Sequence, residues 1–159
     1  MRIKYLLIFL IVLFATNSFA AGRKDIGIGV YAGDPDGITG KYMLKNNRAV
    51  AGGVGWKTTG DKETQIYGDY LFYKWNVIQV PEGKLALYFG GGGRYISYGD
   101  DDGRKKKKDD EFGIRIPVGI EYFFWKSQLG AFMEFVPVLN LTPDTEFDSG
   151  GAIGIRFFF

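Results

Sequence analysis

The sequence contains neither cysteine nor histidine among its 159 residues. Without cysteine the chain has no disulfide framework and no cysteine for lipid attachment. Without histidine it has no Ser-His or Cys-His nucleophile and no histidine-ligated metal. Beyond residue 20 the only serines are Ser97, Ser127 and Ser149. These absences predict a protein that is not an enzyme and that needs no cofactor or metal.

Long hydrophobic runs are also scarce. The one clear run, Tyr5 to Ala15, follows two basic residues and precedes the small-residue segment Ser18-Phe19-Ala20. This order is typical of a secretory signal peptide, whereas a membrane-spanning helix needs about 20 apolar residues. We expect residues 1–20 to be removed and residues 21–159 to form a single domain.

An excess of one charge is missing as well. The chain has 20 Lys+Arg and 18 Asp+Glu, and two of the basic residues belong to the predicted signal peptide. Residues 21–159 therefore carry 18 residues of each sign and a formal charge of zero. This balance gives no general affinity for nucleic acid, so we expect no nucleic-acid partner.

Glycine and aromatic residues are abundant instead: the chain has 24 glycines, and 17% of its residues are aromatic. Residues 21–159 divide into segments of alternating apolar and small character, separated by turns rich in Gly, Pro, Asn, Asp and charge. The predicted strands are 25–32, 38–45, 49–57, 64–74, 84–97, 112–124, 129–139 and 149–159. The pattern predicts an all-β, eight-stranded, antiparallel up-and-down transmembrane β-barrel.

The residues on the two faces of these strands distinguish a membrane barrel from a soluble one. One register is rich in large apolar residues, for example Ile26, Ile28 and Val30, whereas the other is mainly Gly and Ala. A soluble barrel would leave the small register as its surface, whereas a membrane barrel turns the apolar register to lipid. The alternation therefore favours a membrane barrel over a soluble periplasmic lipid-binding barrel.

Isolated charges punctuate the small register, which we expect to line the lumen. We expect the cations to pair with the acids across a narrow interior, since unpaired buried charges are costly. Such a network would close the barrel, and a narrow gated channel is the alternative. The predicted lumen residues are Lys41, Asp69, Arg94, Arg115, Glu121, Glu134 and Arg156.

Aromatic residues near the strand ends predict girdles at the two membrane interfaces. The predicted periplasmic girdle comprises Phe72, Tyr73, Trp75, 122–125 and 157–159. The predicted extracellular girdle comprises Tyr31, Trp56, Tyr95, Tyr98 and Phe112.

The final strand carries a resemblance. Ile153, Ile155, Phe157 and Phe159 share one face and resemble the C-terminal signature that outer-membrane barrels present to their assembly machinery. In length, strand number and charged lumen the chain resembles OmpA/OmpX-type barrels. The segments 29–41 and 147–156 are also similar to those of a family of short, uncharacterised bacterial barrel proteins. The resemblance implies a location in the bacterial outer membrane and implies no catalytic residue.

The segment 98–111 is the longest predicted extracellular loop, and it holds Arg104, Lys105, Lys106, Lys107 and Lys108 between two acidic triplets. One interpretation is a solvated, self-pairing loop. The other is contact with a lipopolysaccharide-type surface, an extracellular glycan or a protein ligand. We therefore expect a structural or surface-interaction role.

Overall fold

A computed structural model describes residues 25–57, 62–99, 109–124 and 128–159. These residues form nine β-strands: β1 (Ile26–Gly33), β2 (Gly37–Leu44), β3 (Arg48–Lys57), β4 (Glu63–Trp75), β5 (Lys84–Tyr98), β6 (Glu111–Arg115), β7 (Val118–Phe124), β8 (Leu129–Thr142) and β9 (Glu146–Phe158). Within the described ranges, no helix has the length and apolar character needed to cross a membrane.

The strands close into one antiparallel ring. Each of β1 to β5 pairs with the next strand, β8 pairs with β9, and β9 returns to β1. The all-β antiparallel prediction is confirmed. We call the end that holds Ile26 and Phe158 the terminal end. The opposite end, at which β1 is followed by β2, β3 by β4, β5 by β6 and β8 by β9, is the loop end.

Two of the nine strands share one position in the ring. Both β6 and β7 pair with β5 on one side and with β8 on the other. They correspond to the single predicted strand 112–124, which the structure divides at Ile116-Pro117. Proline has no backbone N–H to give to a ladder, yet the Pro117 carbonyl accepts a hydrogen bond of 2.9 Å from Gly90 N. The ring therefore has eight positions and nine strands.

The last hairpin is longer than the sequence predicted. The pairing of β8 with β9 extends to Asn140 opposite Glu146, which leaves residues 143–145 as the turn. The sequence had placed 140–148 in a loop because its Asn and Asp residues are typical of turns. In the structure two of these polar residues instead bind Arg94, Asn140 from a buried position and Asp148 from a half-exposed one.

The outer face of the ring is apolar. Large hydrophobic side chains alternate outward along every strand except where glycine interrupts them, and many are more than half exposed. Val30, Phe89, Phe135 and Ile153 are 54%, 55%, 57% and 60% exposed. Strand alternation explains this arrangement, because residues i and i+2 lie on one face of a sheet.

The interior is packed by aromatic rings that lie over glycines of the neighbouring strand. Tyr88 is paired with Gly119 and Phe132 with Gly154, and a Cβ atom at either glycine would lie 2.6 Å from the ring opposite. Phe158 covers Gly27 in the same way. Glycine is thus needed at these positions because the ring occupies the space of a side chain.

The predicted aromatic girdles were partly wrong. Tyr31, Tyr73, Tyr98, Phe123 and Phe158 are buried inside the ring rather than lying at its outer edge. Each of them shares its parity along the strand with the small or charged interior residues. The strand alternation, rather than closeness to a strand end, would have placed them correctly.

Candidate functional site

Seven charged residues lie in the interior of the ring, where the strand alternation had put them. All are buried, with exposures from 0% to 8%. A charge removed from water is tolerated when it is paired and its hydrogen bonds are satisfied. The seven residues are Lys41, Asp69, Arg94, Arg115, Glu121, Glu134 and Arg156.

Glu121 is the centre of the group nearest the terminal end, and its side chain is fully buried. Its Oε2 lies 2.8 Å from Lys41 Nζ, and its Oε1 lies 3.0 Å from Arg156 Nη1. The Tyr73 hydroxyl donates a third hydrogen bond of 2.5 Å to Oε2. One carboxylate thus neutralises part of the charge of two cations that come from β2 and β9.

Aromatic rings flank three of the cations. Arg156 Cζ lies 3.6 Å from the centroid of the Phe132 ring. Lys41 Nζ lies 4.5 Å from the Tyr88 centroid. Cations at this distance from a ring face are attracted by its quadrupole, and the attraction increases when water is excluded. The rings that fill the space over glycine therefore also stabilise the buried cations.

Arg115, from β6, is the centre of a second group. Its Nη2 lies 3.1 Å from Glu134 Oε1, and Tyr88 donates a 2.8 Å hydrogen bond to the other oxygen of Glu134. Its Nε lies 3.0 Å from Asp69 Oδ1, although these two atoms are not aligned as a hydrogen bond. The formal charges of the two groups cancel, since three cations face Asp69, Glu121 and Glu134.

Arg94 has different partners from those expected. Its Nη2 lies 2.6 Å from Asp148 Oδ2, 3.1 Å from Asn140 Oδ1 and 4.0 Å from Glu111 Oε2. The sequence had offered Asp69, Glu121 or Glu134 as its counter-charge, and that pairing was wrong. The true partners lie in segments that the sequence had assigned to loops, so only the extension of the final strands brings them to Arg94.

Little space remains in the interior. A cavity of about 30 Å³ lies beside Arg94 and Arg115 and is also lined by Tyr31. That volume accommodates one or two water molecules. A polar vestibule of about 310 Å³, which also reaches Arg94, opens at the loop end. No group of three acidic residues among the described residues could hold a metal ion.

The predicted surface-loop residues 104–108 lie outside the described residues, as does the predicted signal peptide 1–20. Asp110, which follows residues 104–108 closely along the chain, is described and contacts β5. Its carboxylate accepts hydrogen bonds from Tyr95 Oη at 2.5 Å and from Ser97 Oγ at 3.2 Å. The second end of the loop is therefore tied to the end of β5.

The predicted assembly signal lies on the outer face of the last strand. Ile153, Ile155 and Phe157 are 60%, 51% and 50% exposed. Phe159 follows the end of β9 and is partly exposed, and its backbone N–H donates a 2.9 Å hydrogen bond to the Ile26 carbonyl. Recognition of these residues by an assembly machinery stays a prediction.

The fold is similar to that of the N-terminal β-barrel domain of Pseudomonas aeruginosa OprF. The TM-score is 0.71 with 15% sequence identity, and the match covers 87% of this chain and 99% of the OprF domain. At this identity the likeness shows the fold alone. No functionally curated protein matches the chain. A family described as "Protein of unknown function (DUF3996)" matches residues 8–159. With nearly its whole length matched, the chain belongs to the DUF3996 family.

Proposed function

We propose that the protein is a non-enzymatic, integral β-barrel of the bacterial outer membrane, with a closed interior and a structural or surface-interaction role. The main observation in its support is that large apolar side chains face outward, whereas paired charged side chains face inward. Membrane-spanning barrels have this arrangement because lipid surrounds them. The similarity to an outer-membrane barrel domain in fold is consistent with it.

The soluble lipid-binding alternative is disfavoured by the same placement. A soluble protein seldom exposes a continuous apolar surface larger than a few hundred Å², and here apolar side chains cover the outside of most strands. A lipid binder also needs an apolar cavity, whereas the interior holds ion pairs and a space of about 30 Å³. We therefore expect the protein to require detergent for extraction from membranes.

A narrow gated channel is the second candidate, and one observation favours it. The vestibule and the small cavity are both lined by Arg94, so this residue is in contact with both polar spaces. If the pairs of Arg94 and Glu134 close a path, then Arg94→Ala or Glu134→Ala will raise conductance in planar bilayers. A wild-type protein and variants that are all silent would support the closed, structural barrel.

The location is tested first by trypsin treatment of intact cells. Cleavage at 104–108, with the rest of the chain protected, is expected if the loop end faces outward. Absence of cleavage together with release by osmotic shock would contradict the membrane proposal. The control is the same treatment after outer-membrane disruption, in which any protease-sensitive site at the terminal end becomes accessible.

The surface role is tested by removing the loop without removing strand residues. Tyr98 and Glu111 belong to strands, and Tyr98 Oη donates a 2.7 Å hydrogen bond to Glu111 Oε1. The deletion should therefore be confined to residues 100–108. We expect it to leave the folded barrel intact and to abolish binding to a lipopolysaccharide-type surface, glycan or protein ligand. Unchanged binding to each of these would leave only the structural role.

A further inference from the structure

A groove crosses the outer face of the barrel from the terminal end to the loop end. Its floor is a single row of residues that are paired directly across six adjacent strands. With neighbouring strands about 4.8 Å apart, the row is roughly 24 Å long. The row consists of Lys74, Leu87, Ile120, Met133, Ile153 and Ala32.

The groove is deep because large side chains stand beside this row and a glycine leaves space next to them. Phe89, Val118 and Phe135, each at least half exposed, form one wall. Gly151 pairs with Phe135 on the same face and has no side chain, so this wall is open at Gly151. The groove is open to the outside, has a volume of about 880 Å³ and is lined mainly by apolar groups. An extended apolar chain fits this shape better than a rounded ligand does.

The groove has a cationic end. Among the described residues that line it, Lys74 is the only charged residue on the outer face, because Glu134 points inward to Arg115. Arg48 lies on the same face of the neighbouring strand, opposite Phe72 and two residues from Lys74. Its Cζ lies 5.9 Å from the Phe72 ring centroid, and its Nη1 donates a 3.4 Å hydrogen bond to Tyr70 Oη, on the side of Phe72 away from Lys74. Lys74 is therefore the cation at the groove itself, and Arg48 adds positive charge on the same face, which attracts anions to this end.

We propose that this groove binds one anionic phospholipid. The phosphate lies at Lys74, and an acyl chain follows Leu87, Ile120 and Met133 along the floor. The inference rests on the proposed membrane location, in which the terminal end faces the periplasmic leaflet. The apolar row supplies van der Waals contact, and basic side chains near a bilayer surface attract anionic headgroups.

A second copy of the chain fits the groove less well. The row offers Lys74 no counter-charge from a second copy, because its other five residues are apolar, and electrostatic complementarity favours a partner of opposite charge. A lipid phosphate meets the same cation with the opposite charge.

The test uses the full mature chain, delipidated in detergent and then exposed to phosphatidylglycerol or to phosphatidylcholine. Native mass spectrometry counts the lipids that remain bound. We expect the wild type to retain phosphatidylglycerol several-fold more than phosphatidylcholine and Lys74→Gln to lose this preference. Lys84→Gln is the matched control, because Lys84 is exposed at the same end but lies outside the groove.

A second variant fills the groove without changing a charge. A Cβ at Gly151 would meet only the Glu134 carbonyl, at an ordinary 3.5 Å, so Gly151→Leu should fold normally and retain less of both lipids. Unchanged phosphatidylglycerol retention in both Lys74→Gln and Gly151→Leu would overturn the inference. A dimer mass that Gly151→Leu abolishes would overturn it in favour of a second copy. A protein that stays soluble without detergent and retains neither lipid would instead contradict the proposed function.

Discussion

The most informative perturbation is Glu121→Gln, which keeps the shape of the side chain and removes its charge. Glu121 is fully buried and lies 2.8 Å from Lys41 Nζ and 3.0 Å from Arg156 Nη1. The substitution leaves two buried cations without their shared counter-charge. Breaking a buried ion pair on one side costs about 3–5 kcal/mol, and we expect the free energy of unfolding to fall by that amount.

The assay is equilibrium unfolding by urea in lipid vesicles, followed by tryptophan fluorescence. Trp75 is a suitable reporter because it packs against the interior cluster and stacks on Tyr73 with 5.6 Å between ring centroids. Glu146→Gln, at an exposed position, is the control and should change the unfolding free energy little.

A double variant separates pairing from a general loss of packing. If Glu121 acts through its cations, adding Lys41→Gln to Glu121→Gln should cost less than the sum of the two single changes. Residues in one ion-pair network show coupling free energies of about 0.5–3 kcal/mol. A loss below about 1 kcal/mol for Glu121→Gln alone, or strict additivity in the double variant, would refute the reasoning.

Three further predictions concern the interior, the outer face and the loop base. Gly154→Ala should lower the free energy of unfolding by about 1–3 kcal/mol through overpacking, because its Cβ would meet the Phe132 ring at 2.6 Å, whereas Gly68→Ala, with nothing within 4 Å, should not; equal urea midpoints would contradict this. Phe135→Arg places a charge on the outer face at the middle of β8, where Phe135 is 57% exposed, and should cost about 2–4 kcal/mol in a bilayer; a variant as stable as wild type in vesicles would count against lipid contact. Asp110→Ala removes the acceptor for Tyr95 and Ser97 and should speed trypsin cleavage at 104–108, measured as a time course on cells.

The final hairpin shows what the sequence could not decide. Asn140 and Asp148 have the composition of a turn, and nothing local distinguishes them from turn residues. Both residues bind Arg94, which lies 46 and 54 residues away along the chain. A contact between such distant residues exists only once the ring has closed.

The division of the strand at Pro117 and the inward direction of the aromatic rings also depend on residues of neighbouring strands that are distant along the chain. The sequence read residues 112–124 as one strand because its alternation is unbroken, and Ile114, Ile116 and Val118 do all face outward. Whether a proline divides a strand depends on the backbone groups opposite it, here Gly90 and Pro137. Likewise the Tyr88, Phe132 and Phe158 rings fit inside because the next strand offers a glycine opposite each of them.

The period of two along each strand was sufficient to determine the fold class and which residues face inward, because every strand obeys the same alternation. That is why all seven charged residues could be named before the structure was known. Their partners could not be named, since pairing depends on register between strands and on the order of closure of the ring. The same holds for the outer groove, which follows a row of residues from six strands and exists only in the tertiary structure.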